Sequence, residues 1–303
     1  MRGSCLAVGL VLCACAGGAE WRRDAQLGGR ALNHGRFAEA EPALLSALTR
    51  AEAFGPADER LAASLNALGD LRMAQGQPAR AEPLYRRALA ILEKSAGPDS
   101  RERAASFAYL AEACAASGKP EEAQKLMDRA LALAEKGPAL RRAEIAARLS
   151  DLAASARADG RDEDAAASYR RALAVTERAV GAEHRMTADR LTDLALFHHA
   201  RGDFAEAEAY YKRALSIKER LLGPAHPEAD AALNDLALFY EAQQRLGEAE
   251  ELYKRSLAQL ERAHGRDSPI LAATLGRYAH LLRLRGDATR AAALEARARA
   301  LSP

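Results

Sequence analysis

From about residue 22 onward the apolar positions of the chain recur at a fixed offset. The Leu or Phe at 65, 107, 149, 191, 233 and 275 stand 42 residues apart. So do Leu68, Leu110, Leu152, Leu194, Leu236 and Tyr278, and likewise Ala81, Ala123, Ala165, Ala207, Ala249 and Ala291. Tyr85, Tyr169, Tyr211 and Tyr253 each follow the matching Ala by four residues, with Met127 in the remaining slot. The pairs Ala88-Leu89, Ala130-Leu131, Ala172-Leu173, Ala214-Leu215 and Ser256-Leu257 complete the pattern. An earlier copy, with Leu27, Gly28, Ala40, Leu44 and Ala47-Leu48, matches at an offset of 41. Self-similarity at such a period marks a chain of stacked structural units, here about seven of them.

Within each copy the period is that of a helix. Leu233, Leu236, Ala237 and Tyr240 fall at i, i+3, i+4 and i+7, one stripe of a helix spanning Asp230 to Gln244. After a break near Gln244-Arg245-Leu246, a second helix carries Ala249, Leu252, Tyr253, Ser256, Leu257 and Leu260. In other copies the break reads Gly76-Gln77-Pro78, Gly118-Lys119-Pro120, Gly160-Arg161-Asp162 or Gly202-Asp203-Phe204. Gly closes a helix in a left-handed conformation and Pro opens the next with its φ preset. Second helices are expected to end near Gly97, Gly181, Gly223 and Gly265. No copy carries a strand signal. Aromatic residues make up 5% of the chain and its apolar content is largely Ala and Leu, which favours helices.

These residues resemble the tetratricopeptide repeat over nearly all of 22–301: Leu68-Gly69 in the first helix, Ala81 and Tyr85 in the second, and Ala88 after them. The 42-residue period is similar to the longer repeats of kinesin light chains, as is the link Leu222-Gly223-Pro224-Ala225-His226-Pro227. Glu93, Glu135, Glu177, Glu219 and Glu261 stand where the family often places a closing Pro, so second helices should run on by a turn. The resemblance implies an all-α, right-handed superhelical solenoid of about seven hairpins occupying 21–303. Its repeats are placed at 22–62, 63–104, 105–146, 147–188, 189–230, 231–272 and 273–303. A lone helix pair cannot bury its apolar face, and stacking makes the core continuous. The small residue at Gly69, Ala111, Ala153, Ala195, Ala237 and Ala279 is expected to let the two helices of a hairpin approach closely. Glu295 and Arg299 replace apolar residues in the last copy, as a terminal repeat with an uncovered face requires.

Residues 1–20 read as an export signal. Arg2 is the sole charge before Glu20, and an apolar run, Cys5 to Ala16, lies between them. That run is shorter than the roughly 20 residues a spanning helix needs. Leu12-Cys13-Ala14-Cys15 resembles a bacterial lipobox, which implies lipidation of Cys15 and anchoring through acyl chains worth about 0.8 kcal/mol per buried methylene. With Ala at 16, the resemblance points to an outer-membrane lipoprotein facing the periplasm in a double-membraned bacterium. Ala14-Cys15-Ala16 also fits ordinary cleavage, which would release a secreted or periplasmic soluble chain.

Candidate chemistry adds little. The chain lacks the signatures G-x-x-x-x-G-K-[ST], G-x-G-x-x-G after a strand, H-E-x-x-H and G-x-S-x-G, so no catalytic residue, metal or cofactor is expected. His198 and His199 are adjacent and would diverge by about 100° on a helix; one is expected toward solvent, the other at the edge of the core. Cys114 lies in an apolar helix and reads as a small buried hydrophobe. Glu121-Glu122 and Asp162-Glu163-Asp164 suit helix N-termini. Arg86-Arg87, Arg170-Arg171, Lys212-Arg213 and Lys254-Arg255 recur at the repeat period and read as a solvated stripe. With 44 basic and 42 acidic residues the chain has no excess of positive charge, and no nucleic-acid partner is expected.

First helices of such a solenoid line its concave face. Residues one, five and eight after the repeating Leu lie on one side of that helix. Along the chain these include Asn66 and Asp70; Thr192, Leu196 and His199; Asn234, Leu238 and Glu241; and His280. In kinesin-light-chain-like repeats an Asn in the first slot contacts a peptide backbone. The resemblance carries that role to Asn66 and Asn234, while Ala108, Ser150, Thr192 and Gly276 interrupt the ladder. Leu196 and Leu238 are candidate apolar anchors with His199, Glu241 and His280 as a polar rim; alternatively, both leucines pack against a neighbouring helix. The expected function is a non-enzymatic scaffold for a protein or peptide partner. Two alternatives stand beside it: an outer-membrane assembly chaperone resembling the small tetratricopeptide lipoproteins that pilot secretion or pilus machines, and a ligand-sensing regulatory protein.

Overall fold

The structure, a computed structural model, describes residues 5–95 and 101–301; the side chains of 5–17 and 101 lie outside what it describes. Cys15 is among these, and so are Gly97 and Pro98 of the second interhairpin link. Fourteen α-helices and no strand occur among the described residues. They are α1 (Cys5–Asn33), α2 (Phe37–Glu52), α3 (Glu59–Ala74), α4 (Pro78–Ser95), α5 (Arg101–Ala116), α6 (Pro120–Glu135) and α7 (Ala139–Ala158). There follow α8 (Asp162–Val180), α9 (Arg185–Arg201), α10 (Phe204–Leu222), α11 (Pro227–Ala242), α12 (Leu246–His264), α13 (Ala272–Leu284) and α14 (Ala288–Leu301). The fold is an all-α helical-repeat solenoid. It divides into two compact units, residues 1–168 and 169–303, the division falling within α8.

First helices begin a few residues ahead of the repeat bounds drawn on the Leu register: α3 starts at Glu59 and α9 at Arg185. The cause is capping. The Asp58 carboxylate accepts the Arg60 backbone N–H at 2.8 Å. His184 and His226 do the same through Nδ1, accepting from the N–H of Met186 at 3.1 Å and of Glu228 at 3.2 Å. Each cap satisfies one of the N–H groups that a helix start leaves unpaired. Within hairpins the break has one geometry. Gly35, Gly76, Gly118, Gly160, Gly202 and Gly286 all have positive φ, and at the equivalent point of the sixth hairpin Gln244 adopts φ 60°.

Stacking buries the predicted stripes. In the first unit, Ala51, Leu61, Leu65, Ala88 and Leu92 form one core cluster against which Trp21 of α1 packs, its indole N–H donating to Ser64 Oγ at 2.9 Å. In the second, Leu233, Leu236, Phe239, Tyr240, Tyr211, Tyr253, Tyr278 and Leu281 form a larger one. The small-residue slot behaves as expected: a Cβ on Gly69 would stand 2.5 Å from Cε1 of the buried Tyr85 ring. Leu27, the first copy's counterpart of Leu68, is exposed in α1.

Candidate functional site

The predicted first-helix residues fall into two groups, one in each unit. In residues 1–168, Asn66 donates through Nδ2 to Ser106 Oγ at 2.8 Å, and its buried Oδ1 has no partner. Asp70 accepts the Tyr85 hydroxyl at 2.7 Å, and burial pushes its carboxyl above the usual aspartate range. Around it gathers a charged cluster of which the repeat register gave Glu112, in the same slot as Asp70, but not Arg148. Arg148 donates to both oxygens of Glu112, at 2.8 and 3.0 Å, and its guanidinium lies 4.2 Å from the centre of the Tyr109 ring. Tyr109 in turn stacks on Tyr85 at 5.6 Å. Burial raises the Glu112 carboxyl to about 7 despite Arg148, with Asp151 and Asp70 adding like-charge repulsion. The missed signal was Arg148 itself, one residue before the repeating Leu149, where Ser64 and Ser106 stand in earlier copies.

In residues 169–303, Leu196 on α9 and Leu238 on α11 are 53% and 42% exposed, so neither is packed away against a neighbouring helix. Thr192 turns its hydroxyl back to the Ala188 carbonyl of its own helix at 3.1 Å. His199 is half-buried, edge-on to Phe239 at 5.1 Å and near Phe204 at 6.1 Å. His198, also half-buried, faces elsewhere: it stacks on Tyr210 and lies 3.2 Å from Asp203 through Nδ1. Neither His of the pair is therefore fully solvent-facing, and the two do not converge on one ligand. Asn234 is 2% exposed; its Nδ2 donates to the Asp230 backbone and side chain at 2.8 and 2.9 Å, and Oδ1 has no partner.

Leu238, Glu241 and His280 do come together. A cleft of about 400 Å³ runs between α11 and α13, with Leu238, Ala272 and Gly276 as apolar wall and Arg277 and His280 beside them. Its depth is polar. Glu241 is 8% exposed and Tyr253 is 0% exposed, yet Glu241 Oε1 lacks a hydrogen-bond partner and the Tyr253 hydroxyl has only Glu241 beside it. Burial, a hydrogen bond toward Glu241 and that carboxylate's charge push the Tyr253 phenol upward, and Arg277 counters this. Tyr253 belongs to the repeating Tyr set, which periodicity reads as packing alone. The charges on this face have a legible signal that the register of slots one, five and eight passed over: Asp193, Asp235 and Arg277 stand two residues after the repeating Leu.

The outer helices carry chemistry of a different kind. The recurrent basic pairs are not a free stripe. Arg87 reaches Glu52 at 3.2 Å, Arg213 reaches Glu177 at 2.5 Å, Arg255 reaches Glu219 at 2.6 Å and Arg297 reaches Glu261 at 2.5 Å. Each pair ties one second helix to the preceding one. Glu82, Cys114 and Glu122 bring ligand-type atoms within 4.8 Å of one another. Arg86 and Lys119 already hold the two carboxylates, and burial pushes the Cys114 thiol up to about 11, so the cluster is an ion-pair network beside a protonated thiol.

Comparisons with known proteins find the same repeated helix hairpins. A family model described as tetratricopeptide repeat matches residues 26–94, 60–136 and 228–303, and a second of the same description matches 145–185 and 187–228. The chain belongs to the tetratricopeptide-repeat family. Among solved structures it is similar to kinesin light chain TPR-like repeats from Podosopora anserina, with 26% identity and a TM-score of 0.51 over 69% of this chain and 98% of that one. It is also similar to a STAND signal-transduction ATPase with a tetratricopeptide repeat sensor from Pyrococcus horikoshii, at 20% identity and TM-score 0.58 over 91% of this chain and 41% of that one. A third is aspartyl phosphate phosphatase F from Bacillus subtilis, at 14% identity and TM-score 0.53 over 94% and 74%. The last two likenesses concern the fold alone. A search of curated proteins returns no match.

Proposed function

We propose that this chain is a non-enzymatic scaffold that binds a protein or peptide partner along the first-helix face of residues 169–303. Tetratricopeptide repeats bind protein partners, and stacked hairpins offer extended concave surfaces for doing so. The observation that carries the reading is the pair Leu196 and Leu238, large apolar side chains left exposed on first helices, the second of them lining a cleft with buried polar groups. Apolar anchors with polar groups at their margin are the usual anatomy of a recognition surface. Used as bait, the chain enriches a partner, and Leu196→Asp with Leu238→Asp removes it. Equal retention by both baits would refute the groove.

The same proposal gives the chain an address: export, with lipid on Cys15 holding it at the outer membrane, facing the periplasm. The support is the sequence Leu12-Cys13-Ala14-Cys15 after an apolar run. Among the described residues no helix is long and apolar enough to cross a membrane. Metabolic labelling with a fatty acid is expected to mark the native chain and not Cys15→Ala; label on both, or on neither, contradicts the anchor.

A further inference from the structure

We propose that the cleft beside Leu238 receives a lysine side chain of the bound peptide, its ammonium seated between Glu241 Oε1 and the Tyr253 hydroxyl. This rests on the reading of that face as the partner-binding one.

The two atoms at the bottom of the cleft define what can enter. A carboxylate oxygen only accepts hydrogen bonds, and a phenol oxygen can accept as well as donate. Glu241 Oε1 is buried and unpartnered, a condition that costs about 1–3 kcal/mol when nothing relieves it, and the Tyr253 hydroxyl beside it can turn its proton to Glu241 and still accept. The complement is a compact group with several donors and positive charge. An ammonium has three donors and no acceptor, on a four-carbon stem that can lie along apolar surface. Leu238, Ala272 and Gly276 supply that surface.

Charges of both signs surround the two atoms. The Tyr253 phenol sits in the field of two carboxylates, Glu241 and Asp235, and one guanidinium, Arg277. Arg277 also acts on Asp235, holding down a carboxyl that burial raises. Arg277 and Lys218 thus both act on Asp235, while Glu241 Oε1 has no hydrogen-bond partner.

The cleft has a specific cause in the sequence. The slot one residue after the repeating Leu holds Asn66, Ala108, Ser150, Thr192 and Asn234 in successive copies, and in the last it holds Gly276. A Cβ built on Gly276 meets nothing within 4 Å. The missing side chain leaves the wall open, and a larger residue can fill the space without displacing a neighbour.

The test is to pan a phage-displayed library of random peptides on the full chain, then measure the synthetic winner and its lysine-to-norleucine version by fluorescence anisotropy. The proteins are wild type, Glu241→Gln, Tyr253→Phe, Gly276→Leu and the Leu196→Asp/Leu238→Asp double variant. The winner is expected to contain lysine. On wild type, norleucine should weaken binding roughly tenfold or more, since it leaves a buried charge unpaired. On Glu241→Gln the same change should cost less than about twofold. Gly276→Leu should melt like wild type and bind the lysine peptide no better than the norleucine one. If winners depend on Leu196 and Leu238 but carry no required lysine, or if norleucine costs the same on Glu241→Gln as on wild type, the lysine site is overturned while the proposed function stands. Selection of acidic peptides has the same meaning. If no peptide is sensitive to the double variant, both fall. Should Glu241→Gln fail to fold, Tyr253→Phe and Gly276→Leu decide the matter.

Discussion

At the scale of single residues, three positions show local chemistry working against the average. Gln244 occupies left-handed backbone where six other hairpins carry Gly. A side chain in that conformation costs roughly 1 kcal/mol relative to Gly. Gln244→Gly is therefore expected to raise the melting temperature by about 2–4 °C, read by circular dichroism; a fall would contradict the assigned conformation. Gly69 is the reverse case, for its backbone has no need of Gly but the Tyr85 ring leaves no room for a methyl. Gly69→Ala should cost about 1–3 kcal/mol in denaturant unfolding. Glu112 gives a pH signature. Its folded pKa, raised by burial to about 7, exceeds the ordinary glutamate value of about 4.3, so the folded chain holds this proton more tightly than the unfolded one. The resulting contribution to stability is complete below the unfolded value and is lost as pH rises through about 7. The melting-temperature difference between Glu112→Gln and wild type should accordingly grow in the variant's favour from about pH 5 to about pH 8. A difference that stays constant across that range would show that Glu112 does not titrate there.

At the scale of elements, the sequence spoke clearly about helices and poorly about what crosses between them. Gly76, Gly118, Gly160 and Gly202 mark breaks because the conformation they adopt is written in residue type. The break at Gln244 was visible only through the interruption of the stripe. Helix starts were less legible, since His184 and His226 cap through Nδ1, a role their residue type does not announce. The basic pairs on second helices were seen, but their partners were not. Arg255 meets Glu219 36 residues earlier, and only the stacking of hairpins makes them neighbours. For the same reason Leu238, Glu241 and His280 could be read as one face, whereas Tyr253 at the bottom of their cleft and Arg148 beside Glu112 could not. Each reaches its site from another helix. A double-mutant cycle on Arg255→Ala and Glu219→Ala should return a coupling of about 0–1 kcal/mol, because both side chains remain partly exposed. A coupling well above that would mean the pair is a structural strut between hairpins rather than a weak link.

For the molecule as a whole, hairpins that cannot bury their own apolar stripes stack and cover most of them, while Leu196 and Leu238 are among the large apolar residues left exposed. In the proposed function they are the contact surface for another polypeptide, and Leu238 lines a cleft that ends in Glu241 and Tyr253. Site-specific photocrosslinking in the native cell tests this most directly, with benzoylphenylalanine placed at Leu238 and, as control, at the exposed Glu251 of α12. The account predicts a discrete adduct with one partner protein from position 238 and none from 251. Adducts from 251 alone, or the same adducts from both positions, would place the binding surface elsewhere.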